Sequence, residues 1–411
     1  MGLIVQKFGG TSMEDVARIR QVARRAVVAR KSGHDVVVVV SAMAGETNAL
    51  VELANEMSDA PDPREYDVLV STGEQKTAAL LAMAIQVLGS PARSLLASQV
   101  KIHTDDQHAR ARIQRIDDEL IRQTLDQGAV VVVPGFQGVS PAGDITTIGR
   151  GGSDTSAVAL AAALKADVCE IYTDVDGVFT SDPDVVPGAR KLRQVSYDEM
   201  LELASLGAKI LQTRSVKFGK QFNVPIHVRS SFSDKEGTWV VPESEIMERL
   251  VVSGVTYNRD EAKVTIFGVS DVPGVAARIF VPMSEAGVVV DVIVQNVSTH
   301  GRTDLTFTVA RSDLGRALPI AQQLAEELGA AGVESNDAIA KISVVGLGMK
   351  DHAGVAAKMF QALSDENINI EMINTSEIKI SVVVEEKYTE LACRALHEAF
   401  ELDQVAQEEE H

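Results

Sequence analysis

Apolar positions along the first half of the chain follow two alternating patterns. Short runs in which successive residues are apolar, many of them β-branched, indicate strands buried on both faces. Six segments are predicted as strands: Leu3–Phe8, Val36–Ser41, Asp67–Val70, Ala129–Val133, Val168–Thr173 and Ile226–Val228. Between them, apolar residues recur at helical spacing, most clearly over 16–27 and 78–85. This alternation predicts an α/β domain in which helices cover both faces of a mainly parallel sheet, with ligands bound beyond the carboxyl ends of the strands.

The second half of the chain contains an internal repeat. Asp271–Phe280 reads DVPGVAARIF and Asp351–Phe360 reads DHAGVAAKMF, an offset of 80 residues. Each copy has the strand, helix, strand, strand, helix order of a ferredoxin-like βαββαβ unit, so two tandem small-molecule binding modules are expected. The second copy lacks an obvious final strand. We predict that Val251–Tyr257, which has no partner in the first copy, pairs into its sheet.

A polar, charged segment separates the two halves. Residues 230–249 contain Gly237 and Pro242 and are interpreted as a linker. The predicted organisation is an α/β domain over 1–229, the linker, a first repeat over 250–338 and a second over 339–411.

Charge and cysteine content limit the class of partner. The 411 residues carry 39 Lys and Arg against 58 Asp and Glu, a net charge of −19, which disfavours nucleic-acid and membrane-surface partners. Cys169 and Cys393 are isolated, so neither a disulfide framework nor a zinc knuckle is expected. Apolar runs are far shorter than a bilayer span, and residues 1–10 lack the features of a signal peptide. These observations predict a soluble cytoplasmic protein.

The first chemical motif is Lys7-Phe8-Gly9-Gly10-Thr11-Ser12. It joins a buried strand to an amphipathic helix, which Ser12 is predicted to cap, with Asp15 as capping-box partner. Two glycines allow the backbone to approach an anion, and Lys7 adds a positive charge. A plain strand–helix turn with a surface lysine is the alternative. The chain has no P-loop and no G-x-G-x-x-G after a strand.

The second motif runs from Thr146 to Thr155 and precedes an apolar helix, Ala157–Leu164, for which Ser153 is the predicted N-cap. Three glycines surround Arg150, leaving room for a ligand against backbone and guanidinium together, and arginine suits a carboxylate. The alternative is a flexible loop with a solvated arginine.

Further loops are predicted at the same sheet edge. Thr173–Phe179 places acidic residues after a strand, although a simple Asp/Gly turn is the alternative. Ser41–Thr47 follows the second predicted strand. Ser71–Glu74 follows the third and is expected to open a helix, where Glu74 either favours the helix dipole or binds an ammonium group. Lys209 alone is equally explained as a solvated lysine. The histidines show no metal-binding spacing.

Together these motifs resemble the aspartokinases of the amino acid kinase superfamily, followed by their tandem ACT domains. The matching strings occur in order: KFGGTS at 7–12, SAM at 41–43, STGE at 71–74, GRGGSD at 149–154, YTDVDGV at 172–178, GAKIL at 207–211 and TSEIKIS at 375–381. The resemblance implies transfer of the γ-phosphate of ATP, with Mg²⁺, to the β-carboxylate of L-aspartate. That reaction is the first step towards lysine, threonine and methionine.

The resemblance also implies residue roles. Residues at the transferring phosphoryl group would be Lys7, Asp154 and Lys209. Residues that bind ATP would be Lys7, Gly9, Gly10, Ser41, Thr173, Asp174, Phe179 and Lys209. Residues that bind aspartate would be Thr47, Glu74, Arg150, Gly152 and Ser153. The chain departs from the family's common tyrosine at Phe179 and arginine at Asp184, both on the nucleotide side.

For the ACT repeats, the resemblance implies feedback inhibition by lysine, threonine or both, in a homo-oligomer or an assembly with a regulatory-only subunit. An internal start near Met247 could supply such a subunit. The implied effector contacts are Asp271, Gly274, Ala276, Asp291, Gln295, Asn369, Ile370, Ser376 and Glu377. The alternative for Asp271 is that it only caps its helix.

Three rival functions remain open on the sequence. Glutamate 5-kinases lack paired ACT repeats, and N-acetylglutamate kinases bind a blocked amine that would leave Glu74 without a partner. The third rival is an inactive scaffold whose repeats sense amino acids, against which the intact charged motif residues argue.

Overall fold

A computed structural model describes residues 2–149, 151–205, 210–246, 251–295, 301–347, 349, 352 and 354–404. It divides into two compact units. The first comprises Met1–Phe179 and Lys191–Arg249, and the second comprises Thr180–Arg190 and Leu250–His411. Within the described residues, no helix is both long enough and apolar enough to cross a membrane.

The first unit is an α/β fold built on an eight-stranded sheet. Its helices are α1 Val16–Lys31, α2 Glu46–Met57, α3 Pro63–Val87, α4 Glu119–Asp126, α5 Gly152–Leu164, α6 Tyr197–Ser205 and α7 Thr213–Phe222. Its strands are β1 Leu3–Phe8, β2 Asp35–Val40, β3 Ala92–Ser94, β4 Ile102–Thr104, β5 Ile113–Ile116, β6 Val130–Pro134, β7 Gln137–Val139, β8 Ile145–Thr147, β9 Val168–Thr173, β10 Gln194–Ser196, β11 Ile226–Ser230 and β12 Thr238–Val241. The large sheet has the order β10-β12-β11-β9-β1-β2-β6-β3, and β5-β4-β7-β8 form a smaller one.

Burial on both faces explains the valine runs of the large sheet. Val36, Val38 and Val40 of β2 pack in one cluster with apolar residues of α1 and α3, such as Val22 and Leu81. Helix α5, in contact with β1, β2 and β9, is buried along almost its whole length. Pairing is parallel throughout except between β11 and β12. The predicted mainly parallel sheet is therefore confirmed, as are five of the six predicted strands within two residues.

The predicted strand Asp67–Val70 is wrong, because these residues lie inside α3. Asp62 caps that helix by accepting hydrogen bonds from the backbone N–H groups of Arg64 and Glu65, and Pro63 occupies its first position. A four-residue apolar run has the same appearance in a strand and in a buried helix turn. Glu74 consequently sits in the middle of a 25-residue helix and not at an N-terminus.

Two helix caps and part of the linker also differ from expectation. Asp15, not Ser12, caps α1 by accepting from the N–H of Arg18, and Gly151, not Ser153, is the N-cap of α5. The segment predicted as a linker contains β12, which pairs with β11 and β10. Only glycine fits at position 237, between β11 and β12, because a Cβ there would overlap the carbonyl oxygen of Val228.

The second unit contains two βαββαβ repeats that share one sheet. Its strands are β13 Gly254–Ser270, β14 Val290–Gln295, β15 Arg302–Val309, β16 Gly332–Val345, β17 Met372–Thr375 and β18 Lys379–Glu385. Its helices are α8 Val275–Glu285, α9 Leu314–Glu327, α10 Val355–Asp365 and α11 Thr389–Ala399. The sheet is antiparallel, with the order β14-β15-β13-β16-β18-β17.

The long strand β13 belongs to both repeats. Its first part, Gly254–Asn258, pairs with Val345–Lys341 of β16, which in turn pairs with β18 of the second repeat. Its later part, Ala262–Ser270, pairs with β15 of the first repeat. The prediction that the segment before the first repeat completes the second is confirmed.

A short stretch of the first half of the chain also packs in the second unit. Val185 and Val186 are buried in the same cluster as residues of α10, α11 and β18. Thr180 accepts a hydrogen bond from the backbone N–H of Val255 at 2.7 Å, and its hydroxyl lies 2.9 Å from His397 Nε2. The core of the second unit is therefore assembled from two separate parts of the sequence.

Candidate active site

Motifs from three neighbouring strands meet at one edge of the large sheet. The carboxyl ends of β9, β1 and β2 are in register, with Phe8 opposite both Tyr172 and Val40. Gly9 donates its backbone N–H to the carbonyl of Tyr172 at 3.4 Å, and Ser41 donates to the carbonyl of Phe8 at 3.1 Å. Gly9, Ser41 and Thr173 are thus brought together, as parallel pairing requires.

Lys7 and Asp154 form an ion pair at this edge. The Nζ–Oδ1 distance is 2.6 Å, and the side chains are only 11% and 10% exposed. Lys7 comes from β1 and Asp154 from the first turn of α5. The Lys7 ammonium lies directly over Gly9, where a Cβ would be 3.4 Å from Nζ. A fixed positive charge is therefore held beside a glycine backbone, a suitable place for phosphate oxygens.

The start of α5 contributes backbone donors to the same region. Gly151 caps the helix in the left-handed conformation (φ +70°), and Gly152 and Ser153 are the first helical residues, both buried. Ser153 packs against Gly135, where a Cβ would come within 2.7 Å of the serine Cβ. Gly152 donates its N–H to the carbonyl of Gly149 at 2.9 Å. Because the first N–H groups of a helix have no partner within it, the following residues of this end of α5 can bind an anion such as a carboxylate.

Glu74 projects from α3 towards the loop that follows β2. It is buried, and its Oε1 accepts a hydrogen bond from the backbone N–H of Ala42 at 3.2 Å. Its other oxygen, Oε2, is buried and has no hydrogen-bond partner within the described structure. Desolvation raises the pKa of Glu74 to about 7, against the opposing effect of the Ala42 hydrogen bond. A ligand ammonium group would satisfy this oxygen and favour the charged form.

Close packing brings the 41–47 loop to α3. A Cβ on Gly73 would lie 2.9 Å from the Cβ of Ala42, so only glycine admits this approach without a shift. The loop ends at Gly45 (φ +78°), which caps α2, and Thr47 lies half-buried in the first turn of that helix. Thr47 is therefore contributed by α2, which follows the loop, and Glu74 by α3, which packs against it.

The 173–179 loop is stabilised from the β11–β12 connection. Asp176 accepts hydrogen bonds from the Ser233 hydroxyl at 2.8 Å and from Lys235 at 3.0 Å, and these lower its pKa. Asp174 is exposed and accepts a hydrogen bond from the Thr173 hydroxyl at 3.1 Å. Phe179 forms an antiparallel bridge with Lys191.

Two sequence-predicted residues, Arg150 and Lys209, lie outside the described residues. Among the residues that are described, no cluster of three or more His, Cys, Asp or Glu could hold a metal ion. Mg²⁺ commonly uses one or two carboxylates with substrate phosphates and water. The exposed Asp174 beside the proposed phosphate loop fits that donor set.

Sequence reasoning missed the loop after β11. The Ser231 hydroxyl lies 2.5 Å from that of Ser12, and Arg25 of α1 donates to the carbonyls of Ser231 and Ser233. This loop therefore fastens the 10–13 turn to the 173–179 loop through Asp176. Its position could have been found by asking which loop follows the strand beside β9.

The predicted effector residues fall in three places of the second unit. Asp271, Gly274 and Ala276 lie exposed at the start of α8, where Gly274 (φ +92°) is the N-cap. Asp291 and Gln295 lie on β14, and Asp291 is paired with Lys341 of β16. The remaining predicted contacts flank β17: Asn369, Ile370, Ser376 and Glu377.

Strands β14 and β17 occupy opposite edges of the sheet but approach each other across one face. Val292 of β14 and Met372 of β17 lie in a single hydrophobic cluster with Ile339 and Val383. The predicted contacts on β14 and those beside β17 can therefore face a common space.

Sequence profiles identify the two halves of the chain. The profile of the amino acid kinase family matches residues 2–230, and ACT-domain profiles match 263–326 and 342–400.

Relatives that align with the whole chain point to the same family as the profiles do. The chain is 58% identical over 412 residues to the aspartokinase of Pseudomonas aeruginosa, covering 100% of both. Among solved structures, E. coli aspartokinase III with aspartate and ADP is 26% identical with a TM-score of 0.80, covering 97% of this chain and 99% of that one. The same protein with lysine and aspartate has a TM-score of 0.76 at the same identity and coverage.

Proposed function

The chain belongs to the aspartokinase family of amino acid kinases, and we propose that it transfers the γ-phosphoryl group of ATP to the β-carboxylate of L-aspartate. The product is 4-phospho-L-aspartate, an acyl phosphate. The observation that carries the choice of substrate is that Glu74 Oε2 is buried and has no hydrogen-bond partner among the described residues, so that a ligand ammonium group would satisfy it. Aspartate supplies that group as its α-ammonium.

The reaction needs little protein chemistry beyond alignment and charge neutralisation. The nucleophilic β-carboxylate is already ionised at neutral pH, so no general base is required. Lys7 neutralises charge on the transferring phosphoryl group, and Asp154 holds the Lys7 ammonium in place. The N–H group of Gly10 contacts phosphate oxygens, and Gly9, whose own N–H is donated to Tyr172, lets them approach the backbone closely. Lys209 adds a second positive charge.

Aspartate is held at both ends of its backbone. Glu74 accepts from the α-ammonium, while Arg150 and the α5 N-terminus at Gly152 and Ser153 bind the α-carboxylate. Thr47 contacts the substrate from α2. A carboxylate and a cationic group together select an amino acid with free amino and carboxyl groups, which an N-acetylated substrate does not offer.

The nucleotide lies across the carboxyl ends of β9, β1 and β2. Ser41, Thr173 and Asp174 line it, with Phe179 on the nucleotide side. Mg²⁺ would supply positive charge that neutralises the phosphates. Asp174 is the described carboxylate placed to help hold it.

We assign the second unit to feedback control by lysine, threonine or both, in a homo-oligomer or with a regulatory-only subunit. The E. coli aspartokinase III structure solved with lysine and aspartate supports lysine as an effector. The proposed contacts are those at the start of α8 and on β14 and β17 described above. The enzyme would then act in the cytoplasm at the first step towards lysine, threonine and methionine.

Hydroxylamine trapping tests the reaction directly, because it converts an acyl phosphate into a coloured hydroxamate. The wild-type chain with ATP and Mg²⁺ is expected to give product with L-aspartate and far less with L-glutamate or N-acetyl-L-glutamate. Preference for either of the other acids would assign a different carboxylate kinase, and no product with any acid would favour an inactive sensor.

A further inference from the structure

The active-site description leaves one buried carboxylate without a role. Asp67 of α3 is completely buried, and every partner it has is a hydrogen-bond donor. Thr147 donates from its backbone N–H at 3.0 Å and from its hydroxyl at 2.5 Å. The backbone N–H of Ala109 lies 3.1 Å from both carboxylate oxygens, and His108 Nδ1 lies at 2.7 Å. A carboxylate is the side chain whose two oxygens can accept all these bonds.

These donors lie next to the glycine-rich loop between β8 and α5. Thr147 ends β8, immediately before the loop that reaches α5 through Gly151 and Gly152. Ala109 also packs against that loop, since a Cβ on Gly149 would lie 3.1 Å from its carbonyl oxygen. Arg214 of α7 holds the same segment from the other side by donating to the carbonyl of Ile148 at 2.8 Å.

Helix α3 also carries Glu74, the residue proposed to bind the other end of the amino-acid backbone. Asp67 and Glu74 are seven residues apart, close to two helical turns, so both lie on one face of α3 about 10 Å apart along its axis. Both are buried within the helix's packed face. Helix α3 thus carries Glu74, which is proposed to bind the ammonium group of the substrate. It also anchors the loop that is proposed to bind the α-carboxylate of the substrate.

We propose that Asp67 is a positioning residue that sets the distance between the two ends of the aspartate site. It touches neither substrate nor nucleotide. By fixing Thr147 to α3, it keeps Gly149 and the start of α5 at Gly151–Ser153 at the spacing that one amino-acid backbone spans. This inference rests on the proposed function, because it assumes that Glu74 and this loop share one substrate.

Steady-state kinetics of the full-length chain test the inference. Asp67→Asn keeps the size of the side chain but turns one hydrogen-bond acceptor into a donor that faces other donors. The loss of this buried hydrogen bond is expected to raise the KM for aspartate about tenfold. The KM for ATP is expected to stay within about twofold, since the nucleotide is held by other strands. Asp105→Asn is the matched control: Asp105 accepts from Arg112 and Gln107 in the neighbouring loop but does not contact Thr147, so both KM values should be unchanged.

A second pair of variants decides the matter if Asp67→Asn does not fold. Thr147→Val removes the hydroxyl donor and should raise the KM for aspartate, whereas Thr147→Ser keeps the donor and should restore it. Parallel increases in both KM values, or a lower melting temperature with unchanged KM values, would show that Asp67 only supports the fold. Failure of the wild type to phosphorylate aspartate would instead overturn the proposed function, so the two failures are distinguishable.

Discussion

The ion pair between Lys7 and Asp154 joins the first strand of the sheet to α5, the helix that follows the glycine-rich loop, with 2.6 Å between Nζ and Oδ1. Lys7→Ala should lower kcat by a factor on the order of 10²–10³, because one charge-stabilising donor to the phosphoryl group is lost. Hydroxamate formation at saturating ATP and aspartate measures this loss. Lys76, which is exposed and pairs with Glu46, offers a control in Lys76→Ala. A folded Lys7→Ala variant with near-normal kcat would show that Lys7 has no part in phosphoryl transfer.

Asp154→Asn tests whether the carboxylate acts through Lys7. The amide cannot neutralise the lysine, so kcat should fall while the KM for aspartate changes little. Adding Asp154→Asn to Lys7→Ala should then cost little more, since the two residues act as one unit. Fully multiplicative losses in the double variant would contradict that coupling.

The pKa of Glu74, near 7 in the ligand-free protein, makes aspartate binding depend on pH. The charged form is the one that accepts the ammonium, so the KM for aspartate should rise about tenfold from pH 8 to pH 6. The KM for ATP should not follow this curve. Glu74→Gln should raise the KM for aspartate at pH 8 and abolish its rise towards pH 6. An unaltered pH profile in that variant would remove Glu74 from the amino-acid site.

Glu74 also has a consequence for stability. Its pKa in the folded protein lies above its ordinary value of 4.5, so its contribution to stability is complete below pH 4.5 and is lost as pH rises through 7. The loss amounts to about 3 kcal/mol of unfolding free energy. Without ligands, Glu74→Gln should therefore melt at a higher temperature than wild type at pH 8, and at about the same temperature at pH 4.5. Lower stability of the variant at pH 8 would argue that the buried, charged Glu74 carboxylate does not destabilise the ligand-free protein.

Gly237→Ala should destabilise the first unit by several kcal/mol, since the added Cβ overlaps the carbonyl oxygen of Val228 in the β11–β12 hairpin. Thermal unfolding measures the effect. Gly315→Ala in α9 is the control, because its Cβ would enter open space. Equal stability of Gly237→Ala and wild type would mean that β12 is not part of the sheet in solution.

Regulatory variants test the effector assignment. Asp271→Ala and Gln295→Ala should each raise the concentration of lysine or threonine needed for half inhibition by about tenfold, because each removes a charged or polar contact. Glu285→Ala, exposed at the far end of α8, should not alter inhibition. If millimolar lysine and threonine, alone and together, leave the wild-type rate unchanged, the assignment is wrong.

Much of this fold could be predicted from the pattern of apolar residues and from the order of the elements along the chain. The valine run of β2 and the alternation of strand and helix gave the parallel sheet, and parallel pairing placed Gly9, Ser41 and Thr173 at one edge. The shared strand β13 followed from counting strands in the two repeats. These features depend on local periodicity and on general rules of connection.

Features that depend on tertiary packing were not predictable in the same way. Asp67–Val70 has a strand-like apolar pattern but lies in a helix whose start is set by Asp62 and Pro63. The depth of Glu74, and the bond from Ala42 that orients it, arise from the contact of Gly73 with the 41–47 loop. No spacing in the sequence reports that contact.

Residues 180–190 lie within the first half of the sequence but belong to the second unit, and this limits how the protein can be divided. A product that began at an internal start near Met247 would contain both ACT repeats and all of β13. It would nevertheless lack Val185 and Val186, which fill the hydrophobic core beside α10 and α11, and the Thr180 hydroxyl beside His397. A separately made regulatory chain would therefore contain a cavity in its hydrophobic core. Repacking of that core, or a segment donated by another chain, would be needed to fill it.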